Sequence, residues 1–299
     1  MTPGEGLTVT DRESAPGLAA GGPGSVSVPG SQPAGSTRET AASPELSVIL
    51  PAYNEQAVVA RSIARVDAFL RGTGRSYEIL LGDDGSKDAT VAVARATECP
   101  ALRIVTRPHG GKGSILTAAL REAKGEYAGF IDADLEIDIS YLTEFLRLLD
   151  GGCDAVIAQK TEPVDPARRR PLRRRLLTVA YNATARTLFR TSYRDHQAGM
   201  KFFRRSMLRR ILPGLRSTGW IWDTEVLVSL RRARAVVGQV PIVTSEVPGR
   251  IPKVSWLTTS LAMSRELLLL RLQLLGRRRA AVEADSAAVS AGARSTGTR

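Results

Sequence analysis

Along residues 46–158, short apolar runs alternate with stretches whose apolar positions recur every three or four residues. The runs predict buried strands and the longer stretches predict amphipathic helices. Leu46-Ser47-Val48-Ile49-Leu50-Pro51 is the first expected strand, stopped by its proline. Asn54 is expected to cap a helix from about Glu55 to Leu70, with Val58, Val59, Ile63, Val66, Phe69 and Leu70 near helical spacing. A second strand, Tyr77–Gly82, ends at Asp83-Asp84-Gly85-Ser86, and a helix is expected from Lys87 to Thr97. Leu102–Thr106 is a third strand, leading through Pro108-His109-Gly110-Gly111-Lys112-Gly113 into a helix that reaches Ala123. Tyr127–Ile131 is a fourth strand, Tyr141–Leu149 a helix and Asp154–Ala158 a fifth strand.

Strands alternating with helices predict an open, mostly parallel, Rossmann-like sheet covered on both faces, so the expected class is α/β. Past residue 160 the rhythm breaks into an α+β extension. It holds a helix at 172–190, a turn-rich segment Asp195–Lys201, helices near 206–212 and 222–234, a strand at 235–243 and an apolar helix at 261–275.

Composition trims the ends. Residues 1–44 hold 31 Gly, Pro, Ala, Ser and Thr and no aromatic residue. Such a stretch buries too little apolar surface to offset its ordering entropy, and a disordered tail is expected. It lacks the basic start and apolar block of a secretory signal. Residues 280–299 read as a second tail, leaving 45–279 as one domain with parts at 45–160 and 161–279. Two Cys, no C-x-x-C and two His argue against a zinc site and for a reduced, cytoplasmic setting.

The net charge of +12 is uneven. Residues 1–44 carry four acids and two arginines, a net of −2, so the rest carries +14. Much of that excess lies in Arg168-Arg169-Arg170, Arg173-Arg174-Arg175 and later arginine clusters, which suit an anionic partner or simply decorate solvated helix faces. Nucleic acid is not expected, because the runs lack interleaved aromatics for stacking. No apolar run of membrane-spanning length exists; Leu267–Leu275, bounded by Arg265 and Arg277-Arg278-Arg279, suits either a membrane interface or a core.

Three expected strands end in polar groups: Pro51-Ala52-Tyr53-Asn54-Glu55, Asp83-Asp84-Gly85-Ser86 and Asp132-Ala133-Asp134. In a parallel sheet those ends share one edge, where open α/β sheets bind ligands. Two carboxylates one residue apart at such an edge suit Mg²⁺ or Mn²⁺, which share coordination with substrate phosphates. Gly110-Gly111-Lys112-Gly113 could hold an anion through backbone N–H groups at a helix start. It is not a P-loop, since position 106 is Thr, and no G-x-G-x-x-G follows the first strand.

Pro-Ala-Tyr-Asn-Glu at 51–55, the segment 78–90, Gly-Lys-Gly at 111–113 and 129–136 together resemble the inverting glycosyltransferases of family 2, which have the GT-A fold. Segments 195–203 and 219–227 resemble its polyprenyl-phosphate branch, the dolichyl-phosphate mannose and glucose synthases. The resemblance covers residues 46–256 and implies a nucleotide-sugar half (45–160) and an acceptor half (161–279). It implies that Pro51, Tyr53, Glu55 and Asp84 hold the nucleoside, that Gly82 lines the base pocket, and that Lys112 and Ala133 also meet the donor. It assigns Asp132, Asp134 and Glu136 to the metal, Glu136 standing where mannose synthases usually carry glutamine. Asp195 and Asp134 are the implied catalytic carboxylates, while Arg250 and Lys253 are the implied phosphate contacts.

The expected activity is metal-dependent inverting transfer of mannose or glucose, from GDP-mannose or UDP-glucose, to a polyprenyl phosphate. The enzyme would work at the inner face of a membrane through peripheral contact. Transfer to a soluble acceptor is the alternative reading; a basic, non-enzymatic binding protein is a further one.

Overall fold

The structure, a computed structural model, describes residues 43–162, 172–244 and 265–276. Seven strands form one sheet: β1 (Leu46–Ala52), β2 (Tyr77–Asp83), β3 (Leu102–Thr106), β4 (Tyr127–Ile131), β5 (Ala155–Thr161), β6 (Met200–Arg204) and β7 (Val237–Val243). Their order across the sheet is β3-β2-β1-β4-β6-β5-β7. Pairing is parallel from β3 through β4 and between β5 and β7, whereas β6 runs antiparallel to both its neighbours.

The helices are α1 (Val59–Arg71), α2 (Thr90–Arg95), α3 (Lys112–Glu122), α4 (Leu142–Asp150), α5 (Leu172–Phe189), α6 (Arg205–Ile211), α7 (Trp222–Arg232) and α8 over 265–276. Alternate residues of β1 face opposite ways. Leu46, Val48 and Leu50 join Val59, Ile63 and Val66 of α1 and Phe145 of α4 in one core, while Ile49 joins Ile115 of α3, Met207 of α6 and Trp222 of α7 in the other. The expected α/β class, with helices on both faces of a mostly parallel sheet, is the one observed.

Several boundaries depart from expectation. Asn54 does not cap α1: its Oδ1 accepts the Lys87 N–H (2.8 Å), its φ is +54°, and the helix starts at Val59. The second helix starts at Thr90, because Asp88 first turns the chain by accepting the N–H groups of Gln56 and Thr90. Strand β6 was not expected at all, since Met200–Arg204 begins inside the segment read as turns. Apart from 43–44, the expected tails lie outside the described residues, as do 261–264 of the expected apolar helix.

Candidate active site

Strands β4, β1 and β2 are parallel neighbours, so their carboxyl ends bring Asp132, Tyr53 and Asp84 to one edge of the sheet. Tyr53 stacks on His109, with ring centroids 4.2 Å apart and planes 20° from parallel. Buried Asp84 accepts the Gly110 N–H (2.9 Å) and the Gly111 N–H (3.0 Å), and its Oδ2 lies 2.8 Å from His109 Nδ1. The anion held by this glycine turn is therefore the protein's own Asp84. Gly111 has φ +97°, and a Cβ there would meet the Thr218 carbonyl, so glycine is required.

The remaining expected donor residues are spread around this edge. Pro51 is half-buried in β1, and Glu55 N–H donates to Thr90 Oγ1 at 2.8 Å. Gly82 faces the core, where a Cβ would stand 3.1 Å from Ile115 Cγ1; the space beside it is filled by α3. Ala133 is buried and its carbonyl accepts the Ser62 hydroxyl.

Beside the edge lies a chain of opposite charges. Lys112 Nζ is 2.7 Å from Asp132 Oδ1 and 3.8 Å from Asp223 Oδ2, and Lys201 Nζ is 2.6 Å from Asp223 Oδ1. Lys201 also donates to the Ala198 carbonyl (2.7 Å), and both ammonium groups sit over the Phe130 ring. Burial opposes the Lys112 charge, yet Asp132 and Asp223 outweigh it and raise the pKa above the usual lysine value. Burial pulls the Lys201 pKa down, with Asp223 opposing. Glu225, two residues from Asp223, instead accepts the Arg216 and Ser217 N–H groups and holds the preceding loop.

Asp132, Asp134 and Glu136 line one cleft with Ile137, Lys160 and Gly199. Among the described residues, however, no three His, Cys, Asp or Glu side chains converge as a metal site. Leu135, at φ +52°, turns the chain between Asp134 and Glu136. Two carboxylates fit a hard divalent ion that takes its other ligands from phosphate and water. Two observations agree with that fit. Asp132 already carries a cation, the Lys112 ammonium, and a Cβ on Gly199 would collide with Asp132 Oδ2, so the space against this carboxylate depends on glycine.

Asp195 belongs to a neighbouring cavity of about 220 Å³, lined by Lys160, Glu162, Arg175, Asn182, Arg186 and Arg194 among others. Its Oδ2 accepts the Lys160 N–H (3.1 Å) and its Oδ1 accepts the Gln197 N–H (2.8 Å). Lys160 lines both spaces. Of the cavity's basic residues the sequence singled out only Arg175, within a cluster suited to an anionic partner, although Arg175, Thr178, Asn182 and Arg186 fall at helical spacing. His109 was also missed. Arg250 and Lys253 lie outside the described residues.

Next to Asp195, buried His196 pairs through its ring Nε2 with Thr191 Oγ1 (3.0 Å), and its backbone N–H donates to Asn182 Oδ1 (3.0 Å). Burial and then Lys201 push its pKa from 6.5 down to about 4. The folded pKa lies below the unfolded one, so the unfolded chain takes up the proton first and stability falls as pH drops. We expect up to about 3 kcal/mol to be lost between pH 6.5 and pH 4, at 1.36 kcal/mol per pKa unit. Urea titrations across that window should show a shallower fall for His196→Gln; equal slopes would remove His196 as the cause.

The sequence model described as glycosyl transferase family 2 matches residues 47–212. Glycosyltransferase AglD of Haloferax volcanii is 32% identical over 68% of this chain, which spans only 33% of that relative's length. The dolichyl-phosphate beta-glucosyltransferase of Saccharomyces cerevisiae is 26% identical over 77% of this chain and 75% of its own. Among solved structures, glucosyl-3-phosphoglycerate synthase from Mycobacterium tuberculosis, in complex with Mn²⁺, UDP and glucosyl-3-phosphoglycerate, superposes with a TM-score of 0.56. It is 23% identical and covers 76% of this chain and 80% of its own, a likeness of fold.

Proposed function

The chain belongs to glycosyl transferase family 2, and from that premise we propose that it transfers a hexose from a nucleoside diphosphate sugar to a polyprenyl phosphate. The observation that carries this reading is the basic cavity beside the aspartate cleft, with Lys160 lining both. Lys160, Arg175, Arg186 and Arg194 would receive the acceptor phosphate there, and arginine forks match phosphate oxygens in pairs. Similarity to dolichyl-phosphate glucosyltransferases supports the lipid acceptor and favours glucose over mannose.

In this reading the donor's base lies near the Tyr53–His109 stack and its diphosphate near Asp132, Asp134 and Lys112. A phosphate oxygen of the acceptor forms a bond to the anomeric carbon as the bond to the diphosphate breaks, and the configuration inverts. The acceptor oxygen is already anionic, so no proton has to be removed. Asp195, its oxygens engaged by two backbone amides, orients the Lys160 and Gln197 segments around the phosphate. Mg²⁺ or Mn²⁺ held by Asp132 and Asp134 would neutralise charge on the leaving diphosphate.

The test is incubation with UDP-glucose or GDP-mannose, each radiolabelled in the sugar, plus polyprenyl phosphate and Mn²⁺. Label from UDP-glucose should enter the organic phase. Label confined to water, with transfer instead to a small phosphorylated acid, would overturn the lipid reading. His109→Ala should weaken nucleotide binding about fivefold in calorimetry, because a lost aromatic contact costs about 1 kcal/mol. Unchanged affinity would take the stack out of the donor site.

A further inference from the structure

We propose that the outward leucine faces of α5 and α8 form one docking surface for an anionic lipid bilayer. This deepens the lipid-acceptor reading and rests on it for its purpose, though not for its geometry. Of the ten large apolar side chains that stand exposed among the described residues, seven lie on these two helices. Helix α8 buries Leu267, Leu270 and Leu274 in a small core with Ala185 and Phe189 of α5 and Val228 of α7. Its other side exposes Leu268 (56%), Leu269 (42%), Leu272 (63%) and Leu275 (39%), where a helix facing water carries polar residues. On α5, Leu172, Leu176 and Val179 follow one another at i, i+4 and i+7, each at least 60% exposed.

Charge selects the partner. Helix α5 contains Arg173, Arg174, Arg175 and Arg186 and no acid. Helix α8 contains Arg265 and Arg271 against Glu266, and three arginines follow it in sequence. An apolar face on arginine-rich helices is the signature of a helix lying in the interface of an anionic membrane. No described helix is long and apolar enough to cross one. Continuity favours a bilayer over a second copy of the chain: Val179 belongs to the exposed stripe, and both it and Arg175 line the basic cavity. A phosphate held in that cavity would leave its hydrocarbon tail beside the leucine face.

Co-sedimentation of the full chain with vesicles tests this. Binding is expected to equal mixtures of phosphatidylglycerol and phosphatidylcholine and at least tenfold less to phosphatidylcholine alone, with salt weakening it by screening. Leu268→Glu/Leu272→Glu and Leu172→Glu/Leu176→Glu should each cut the partition coefficient at least tenfold. Both variants should keep transfer to a short, water-dispersible polyprenyl phosphate, which shows that they fold. Failure of the parent to bind the anionic vesicles, or equal binding by the variants, would overturn the proposal. So would a dimer that the same substitutions dissociate in sedimentation velocity without any vesicle binding. A parent that binds vesicles but glycosylates no polyprenyl phosphate would remove the acceptor reading and leave the surface standing.

Discussion

Asp132→Asn is expected to lower kcat by about two to three orders of magnitude, the loss typical when one preorganised charge contact to a transition state is removed. Asp132 is the carboxylate that meets Lys112 at 2.7 Å, at the place where the leaving diphosphate is expected. A neutral amide of the same shape can accept a hydrogen bond but does not balance a cation. The fold should survive, because the Asp132 side chain is 36% exposed and Lys112 keeps Asp223 nearby at 3.8 Å. Steady-state kinetics over a series of Mn²⁺ concentrations, run beside a thermal melt, will decide it. A kcat within tenfold of the parent, with the melt unchanged, would take Asp132 out of the chemistry.

The second large effect is on stability. Lys201→Met removes a fully buried ammonium and leaves Asp223, itself 1% exposed, without its nearest partner. Breaking a buried pair from one side costs about 3–5 kcal/mol, because the surviving charge stays out of water. At about 2–4 °C per kcal/mol for a chain of this size, Tm should fall by roughly 10 °C. Adding Asp223→Leu removes the stranded charge, and the double variant should regain much of the loss. Its transfer rate should still be low, since Lys112 has then lost one of its two carboxylates. If single and double variants melt together, the Lys201–Asp223 pair is not the source of the stability.

Much of the donor side was legible in the sequence, since Leu46–Ala52, Tyr77–Asp83 and Tyr127–Ile131 are apolar runs ending in polar groups. Such a pattern places the groups without knowledge of their contacts. What stayed hidden was pairwise. That Asp84 is tied up by Gly110 and Gly111 depends on a turn closing across the β2 end. The ion pairs of Lys112 and Lys201 join residues separated by up to 111 positions, and nothing local to Lys201 announces a partner on α7. The basic cavity was half visible: Arg175, Asn182 and Arg186 share a helical stripe, but Lys160 and Arg194 come from elsewhere. Strand β6 was missed because Met200–Phe203 is short and follows a turn, and its pairing is set by β4 and β5 rather than by its own pattern.

That strand also constrains the order in which the molecule can be assembled during synthesis. In the finished sheet β6 sits between β4 and β5, yet it is encoded some 70 residues after β4. While a ribosome has delivered only the first 160 residues, the outer edge of β4 has no strand to bond with, and an open apolar edge invites pairing with other chains. A fragment ending before Met200 should therefore aggregate rather than persist as a free-standing nucleotide-binding module. Closure of the sheet waits for a late, short and antiparallel insertion, so a nascent chain of this protein has a long vulnerable interval.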